Sequence, residues 1–232
     1  MIRIPLTKYG WPQVVIFPAA AFVLMVVYLP VGVRFLPLWS VISVEIILAV
    51  FLIWSLAFFR DPYRVAPLDK DIVLAPADGT ITDIETVEQE DFIGGAAVRI
   101  GIFMSIFNVH INRAPCDVKI AKITYKKGQY KNAMNPASGR VNESNDVAMV
   151  RTNCPEDKLI VRQISGAIAR RIVCKTGEGE KLSGGEKFGM IKFGSRTELY
   201  VPVREDVKCM VQTGDKVEAG LSVLVRYDKC QD

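Results

Sequence analysis

Histidine occurs once in the 232-residue chain, as His110. A metal centre built from several imidazoles is therefore excluded. The five cysteines, Cys116, Cys154, Cys174, Cys209 and Cys230, are odd in number, and none belongs to a C-x-x-C pair. This argues against a disulfide frame or a zinc site and reads as reduced cytosolic thiols. A surplus of one charge sign is also missing. The net charge is +4, of which +3 falls in residues 1–60, so the remaining 172 residues are near +1. A nucleic-acid-binding domain needs an excess of Lys and Arg over much of its surface, and no nucleic-acid partner is expected here. Disorder is excluded because half of the residues are hydrophobic.

Charge of any kind is rare at the N-terminus, where residues 1–60 carry only Arg3, Lys8, Arg34, Glu45 and Arg60. Trp11–Val33 has no charge, and Leu38–Phe59 has Glu45 alone. Each run meets the roughly 20 residues that a membrane-crossing helix needs. Pro30, Gly32, Arg34 and Pro37 supply a short connection. The pattern predicts a membrane-embedded hairpin of two apolar helices over residues 1–60. Basic residues flank both outer ends, so the positive-inside rule puts both flanks, and everything after residue 60, on the cytoplasmic side of the cell membrane. A secretory signal peptide fits less well, because its apolar core is shorter and no second run follows it. A hairpin dipping into one leaflet stays open as an alternative, since Glu45 at mid-membrane would cost ~3 kcal/mol without a partner.

Beyond the charged, proline-containing boundary FRDPYR (residues 59–64), residues 61–232 break into short β-like runs. Asp71–Leu74, Thr80–Val87, Ala97–Met104, Val118–Tyr125, Val147–Arg151, Phe188–Phe193, Glu198–Val203, Val207–Gln212 and Ser222–Tyr227 alternate or are β-branched. In LIVRQISGAIARRIVC (Leu159–Cys174) the front half alternates like a strand, while AIARR has the composition of a helix start. Turn chemistry marks Asp78-Gly79, Gly94-Gly95, Ser183-Gly184-Gly185 and Thr213-Gly214-Asp215. The fold class is mainly β with short helices, an α+β body. VQTGDKVEAGLSVL (Val211–Leu224) is similar to a hairpin of the flattened lipoyl- or biotinyl-like β-barrel, and APADGTITDIE (Ala75–Glu85) to its partner half. The lysine-bearing tip that such carriers modify is missing, so the likeness extends to architecture and not to cofactor.

Candidate chemistry centres on His110 in FNVHINRAP, Asp78 in PADG and Ser195 in GEKFGMIKFGSR. Aspartate, histidine and serine are the residue types of nucleophilic triads, but chain order carries no geometry. Each also has a plain structural reading: a buried structural imidazole, a type I′ turn at Asp78-Gly79, and a turn at Gly194-Ser195.

Taken together and in order, FRDPYR, PADG, FNVHINRAP, RQISGAIARRIVC and GEKFGMIKFGSRTELYVP closely resemble the short-form phosphatidylserine decarboxylases. The resemblance covers residues 59–204, and Phe-Gly-Ser-Arg is its most specific part. The stretch Asn135–Asp146 is less acidic than is usual in that family.

The resemblance implies a zymogen that makes its own cofactor. Ser195 attacks the carbonyl of Gly194, and the resulting ester is eliminated. The chain is thereby cleaved between 194 and 195, leaving a covalent pyruvoyl group at the former Ser195. His110 is the base near neutral pH, and Asp78 orients it. The pyruvoyl ketone then forms a Schiff base with the amine of a serine phospholipid and accepts the electron pair released with CO₂, the role pyridoxal phosphate plays elsewhere. No metal and no pyridoxal phosphate are implied. The partners implied are the membrane, the serine phospholipid and the chain's own two fragments, while a homo-oligomer is left open. Arg113 and Arg196 are candidates for the lipid phosphate by proximity to the motifs. Two rival readings remain at this point. One is a membrane-bound serine hydrolase with an Asp78/His110/Ser195 triad, although G-x-S-x-G is missing. The other is a non-catalytic lipoyl-like domain.

Overall fold

The two charge-poor apolar runs become two helices, α1 (Gln13–Phe35) and α2 (Leu38–Phe58). At 1.5 Å per residue they are about 35 and 32 Å long, enough to span a hydrocarbon layer of ~30 Å. These lengths and compositions come from a computed structural model that describes residues 5–135, 137–153, 157–167, 171–192 and 194–228. Between the helices, Leu36 is extended and Pro37 caps α2, so the reversal takes two residues. Gly32 permits the close return, because a Cβ there would stand 3.1 Å from Val41 Cγ2. The ends are tied together by an antiparallel bridge between Leu6 and Arg60 and by the Thr7 N–H to Phe59 carbonyl bond of 2.9 Å. These segments form one compact unit, Met1–Pro62, and the rest of the chain, Tyr63–Asp232, forms the other.

The second unit is mainly β, as the alternating runs lead one to expect. Its strands are β1 (Ile72–Leu74), β2 (Gly79–Glu90), β3 (Gly95–Met104), β4 (Ile111–Arg113), β5 (Val118–Lys126), β6 (Ser144–Arg151) and β7 (Lys158–Ile164), then β8 (Ile172–Cys174), β9 (Lys181–Leu182), β10 (Lys187–Ile191), β11 (Ser195–Pro202), β12 (Val207–Cys209), β13 (Lys216–Val217) and β14 (Val223–Tyr227). A single helical turn, α3 (Ser138–Val141), precedes β6. The helix start read in AIARR falls largely on residues 168–170, outside the described residues.

An eight-stranded sheet runs in the order β13-β2-β3-β11-β7-β6-β5-β9, and two three-stranded sheets run β1-β14-β12 and β4-β10-β8. Bulges at Ile81/Asp83 and Val87/Glu90 of β2 and at Ile120/Lys122 of β5 curl the large sheet. The two lipoyl-like segments do meet: β13 pairs with β2, and the Ala75 N–H donates to the Ser222 carbonyl at 2.8 Å. Asp78-Gly79 is not a hairpin turn, because β1 pairs with β14 while β2 pairs with β3 and β13. It is a bend that carries the chain from one sheet into the next.

Alternation on β11 sets up two different interiors. Leu199 and Val201 enter the main core with Ile100, Ile102, Val161, Met149 and Leu159, each contributing about 1.5–3 kcal/mol by burial. The other face holds buried charge instead of solvent. Arg196 donates to Asp83 at 2.7 and 2.8 Å, to Glu198 at 2.8 Å and to Thr82 at 2.6 Å. Arg99 adds bonds to Asp83 and Glu85, and Tyr200 donates to Glu198 at 2.8 Å. Replacing Arg196 with Met should therefore destabilise the body by about 3–5 kcal/mol, since it leaves buried carboxylates short of positive charge. Lys208→Met breaks only the exposed pair with Asp228 and should cost less than ~1 kcal/mol. Denaturation midpoints of the purified variants measure the contrast.

Candidate active site

Between β10 and β11 the chain leaves a three-stranded sheet and enters the middle of the eight-stranded one. It makes the crossing at Gly194, whose φ of +62° lies in the left-handed region that L side chains avoid. Ser195 follows as the first residue of β11, paired with Met104 of β3. Ser195 is fully buried, and its hydroxyl donates to Met104 Sδ at 3.3 Å. Thr197, next on the same face, donates to the same sulfur at 3.4 Å. A thioether is a weak acceptor, so the serine hydroxyl is held lightly.

His110 stands just ahead of β4, which pairs with β10. The Ile191 N–H donates to the His110 carbonyl at 3.2 Å, which brings the imidazole to the crossing. The ring is fully buried. Its Nδ1 lies 2.9 Å from the Asn108 carbonyl, and its Nε2 accepts the Gly194 N–H at 3.3 Å. A carbonyl only accepts and an amide N–H only donates, so these two contacts set the neutral tautomer with the proton on Nδ1. Asn108 is itself fixed by a turn in which its Oδ1 accepts from the Ser105 N–H at 2.9 Å and the Ser105 hydroxyl at 2.8 Å. In this arrangement Nε2 presents a lone pair at residue 194.

A buried ladder of amides locks the two sheets in register around this point. Asn112 of β4 donates to Thr197 Oγ1 at 3.1 Å and accepts from Gln163 Nε2 at 2.9 Å, and Asn145 donates to Gln163 Oε1 at 3.0 Å. Beyond β7, Gly166 lies directly against the crossing. A Cβ at Gly166 would fall 2.1 Å from the Gly194 carbonyl oxygen, so that oxygen occupies the space a side chain would need. At Gly194 the constraint is different. A Cβ there meets only Ile106 at 3.6 Å, and glycine is needed for conformation rather than room.

The structure thus brings Ser195, Gly194 and His110 together, but three expectations change. Asp78 does not orient His110. Its carboxylate receives both guanidinium nitrogens of Arg64, one at 2.8 Å, and the Ala219 N–H at 2.8 Å. It precedes β2, two strands from Ser195 across β3, on the order of 10 Å away. At His110 Nδ1 the neighbour is the Asn108 carbonyl. Arg196 is no phosphate ligand, because it points to the opposite face of β11 and its donors are engaged by Asp83, Glu198 and Thr82. Arg113 is buried, with Nη1 on the Gly185 carbonyl at 2.9 Å. Sequence reasoning assigned no role to Gly166, Asn108, Asn112 or Met104. Gly166, Asn108 and Asn112 lie inside the sequence motifs given above, but the contacts that give them a place at the crossing form only in the folded chain.

The phosphatidylserine decarboxylase family profile matches residues 51–225. A phosphatidylserine decarboxylase proenzyme of Rhodopirellula baltica is 39% identical over 233 residues, covering 97% of this chain and 90% of that protein. One from Azorhizobium caulinodans is 40% identical over 229 residues, with 97% and 90% covered. A third, from Nitrosomonas eutropha, is 41% identical and covers 96% of this chain and 95% of its own length. Because the chain has one histidine, nitrogen-15 NMR of the Ser195→Ala chain reads its ring without overlap. The expected result is a protonated Nδ1 and an unprotonated Nε2 at neutral pH; the reverse tautomer would contradict the geometry.

Proposed function

The chain belongs to the phosphatidylserine decarboxylase family, and on that premise we propose that it converts the serine headgroup of a membrane phospholipid to ethanolamine, using a pyruvoyl group made from its own Ser195. The observation that carries the reading is the contact of His110 Nε2 with the Gly194 amide, one residue before a buried serine. An unprotonated ring nitrogen, a left-handed glycine and a lightly held hydroxyl are what self-cleavage at this bond requires.

In the first step the Ser195 hydroxyl leaves Met104, gives its proton to His110 Nε2, and its oxygen bonds to the Gly194 carbonyl carbon. The carbon–nitrogen bond to Ser195 breaks, the freed amine takes the proton from His110, and an ester replaces the amide. Loss of the Ser195 α-proton then breaks the Cβ–Oγ bond, releasing Gly194 as a carboxylate and leaving dehydroalanine. Water converts the dehydroalanine to the ketone with loss of ammonia. The residues fit the group that results, since position 195 is buried and paired with Met104 of β3, and the next residue, Arg196, is paired with Ile164 of β7 as well. When formed, the pyruvoyl ketone supplies an electron sink for the pair left behind by CO₂ once it is joined to the substrate amine. His110 holds the proton that returns to the substrate's α-carbon. Asp78 acts at a distance, as the anchor of Arg64 and of the backbone at Ala219.

Two fragments of such a scission, residues 1–194 and 195–232, stay associated. The shorter one supplies β11 between β3 and β7, and β14 between β1 and β12, and β12 is its own strand. The two apolar helices embed the chain in the cell membrane, with the β unit on the cytoplasmic side, where an insoluble lipid is reached at the interface.

Mass spectrometry of the purified chain tests the reading. Two fragments are expected, the shorter beginning with a carbonyl-bearing residue at 195, and Ser195→Ala should give one inactive chain. An active enzyme with a continuous backbone would overturn it. Gly166→Ala should slow cleavage by about 10²-fold, because its Cβ displaces the scissile carbonyl. Gly194→Ala has room for its Cβ but carries a backbone cost of about 1–2 kcal/mol. Acidification should also slow cleavage, since a proton on Nε2 faces the Gly194 N–H donor. Gel assays of precursor conversion read all three.

A further inference from the structure

Two loops reach the crossing, and each leaves a large apolar side chain in the open. One is the turn after β3, where Ile106 Cγ2 would stand 3.6 Å from a Cβ at Gly194. The other is the segment between β5 and α3. Its Ala133 side chain would stand 3.2 Å from a Cβ at Gly166, the position that abuts the Gly194 carbonyl oxygen. In each loop the residue after the contact is apolar and solvent-facing, Phe107 at 71% and Met134 at 57% exposure.

The second loop is also one-sided in charge. Residues 126–141, KKGQYKNAMNPASGRV, hold four basic residues and no acidic one, although residues 61–232 as a whole are near +1. Among the described residues the exposed side chains of Lys127, Lys131 and Arg140 make no ion pair. Two carboxylates lie behind the loop, but both are buried and engaged. Glu143 accepts the Tyr125 hydroxyl at 2.6 Å, and Glu198 accepts from Arg196 and Tyr200. Neither neutralises the surface.

We propose that these two tips dock on an anionic lipid surface, with Phe107 and Met134 at the acyl boundary and Lys127, Lys131 and Arg140 among the phosphates. Single exposed apolar residues carry no such meaning. Apolar tips combined with unpaired cations match the two layers of a lipid interface. The occupant follows from the decarboxylase reading above, on which this proposal rests. A serine phospholipid carries a phosphodiester and a carboxylate against one ammonium, so it is a net anion. Its headgroup must reach residues 194 and 195 while its acyl chains stay in the membrane. Tips seated at the acyl boundary beside the crossing hold the reacting bond at headgroup depth.

Tryptophan quenching tests the contact without requiring turnover. The full chain is reconstituted in vesicles containing an acyl-chain nitroxide lipid, as Met134→Trp or Phe107→Trp, and the emission of the wild-type tryptophans is subtracted. Quenching of the added emission at either tip should be at least about twofold stronger in phosphatidylglycerol than in phosphatidylcholine. The difference should vanish at 1 M salt, where the screening length is about 3 Å. It should also vanish when Lys127→Gln, Lys131→Gln and Arg140→Gln are combined. Val203→Trp is the reference, since Val203 is exposed and lies beyond the far end of β11, roughly 25 Å along the strand from Ser195. It should stay unquenched.

If one tip variant does not fold, the other decides. No quenching at the tips in phosphatidylglycerol would overturn the proposal, as would equal quenching at Val203→Trp or equal quenching in both lipids. Blue-shifted tip emission that no lipid quencher reaches would assign the surface to a second copy of the chain, and would overturn it too. A wild-type chain that neither splits nor releases CO₂ would instead overturn the decarboxylase reading beneath it.

Discussion

The bond from the Gly194 amide to Nε2 of His110 is where the organisation of the β unit converges. One partner is positioned by a three-stranded sheet, through β4 and β10; the other is the last residue before the chain enters the centre of the eight-stranded sheet. Neither sheet alone builds the site. Their relative register therefore decides whether the imidazole meets the serine-bearing segment, and the buried amides of Asn112, Gln163 and Asn145 hold that register. Each of these groups is dry, so a shift that broke one bond would leave unsatisfied polar atoms at about 1–3 kcal/mol each. The site inherits its definition from that penalty.

Strand parity then divides the labour along β11. Ser195 and Thr197 share the face that meets Met104, while Arg196 and Glu198 turn to the other side, into the charge layer with Asp83 and Arg99. On the proposed reaction this matters most after scission, when residue 195 becomes a chain end. A new terminus in the middle of a sheet would ordinarily fray. Here the next residue is fully buried and bound through its guanidinium to three side chains, so the end stays where the cleaved bond was.

The large elements were legible in the sequence because each rests on its own composition. Apolar runs of membrane length, the first without charge and the second with Glu45 alone, gave α1 and α2, and β-branched alternation gave β2, β3, β5 and β11 within a residue or a few of their observed ends. β4, β9 and β13, with two or three residues each, were not legible, because such strands are defined by their partners. Ser195, Gly194 and His110 could be singled out because a sole histidine and a specific motif limit the choices. Asp78 was misread because order along a chain says nothing about which carboxylate reaches an imidazole. Arg196 was misread because a lone arginine in a strand gives no sign that two carboxylates await it on the neighbouring positions of a folded sheet. Gly166 was passed over because its contribution is a void, and a void is visible only when the Gly194 carbonyl is seen to fill it.

The contrast in bond strength between frame and centre follows from what each must do. In the frame, charged and amide groups meet at short range, with Arg196 to Asp83 at 2.7 Å and Arg162 to Asp146 at 2.6 Å. At the atoms of the proposed reaction the contacts are longer and weaker: hydroxyl to thioether at 3.3 Å, and amide to imidazole at 3.3 Å. A strong acceptor on the Ser195 hydroxyl would stabilise the resting precursor, and that stabilisation would add to the barrier for attack. A thioether gives the buried hydroxyl a partner at little stabilisation, so leaving it raises the barrier little. The same holds for the imidazole, whose Nε2 must give up the Gly194 amide before it can take a proton. Rigidity in the surrounding strands and looseness at two atoms are thus complementary requirements, and both follow from which neighbours β3, β4 and β11 bring to residues 194 and 195.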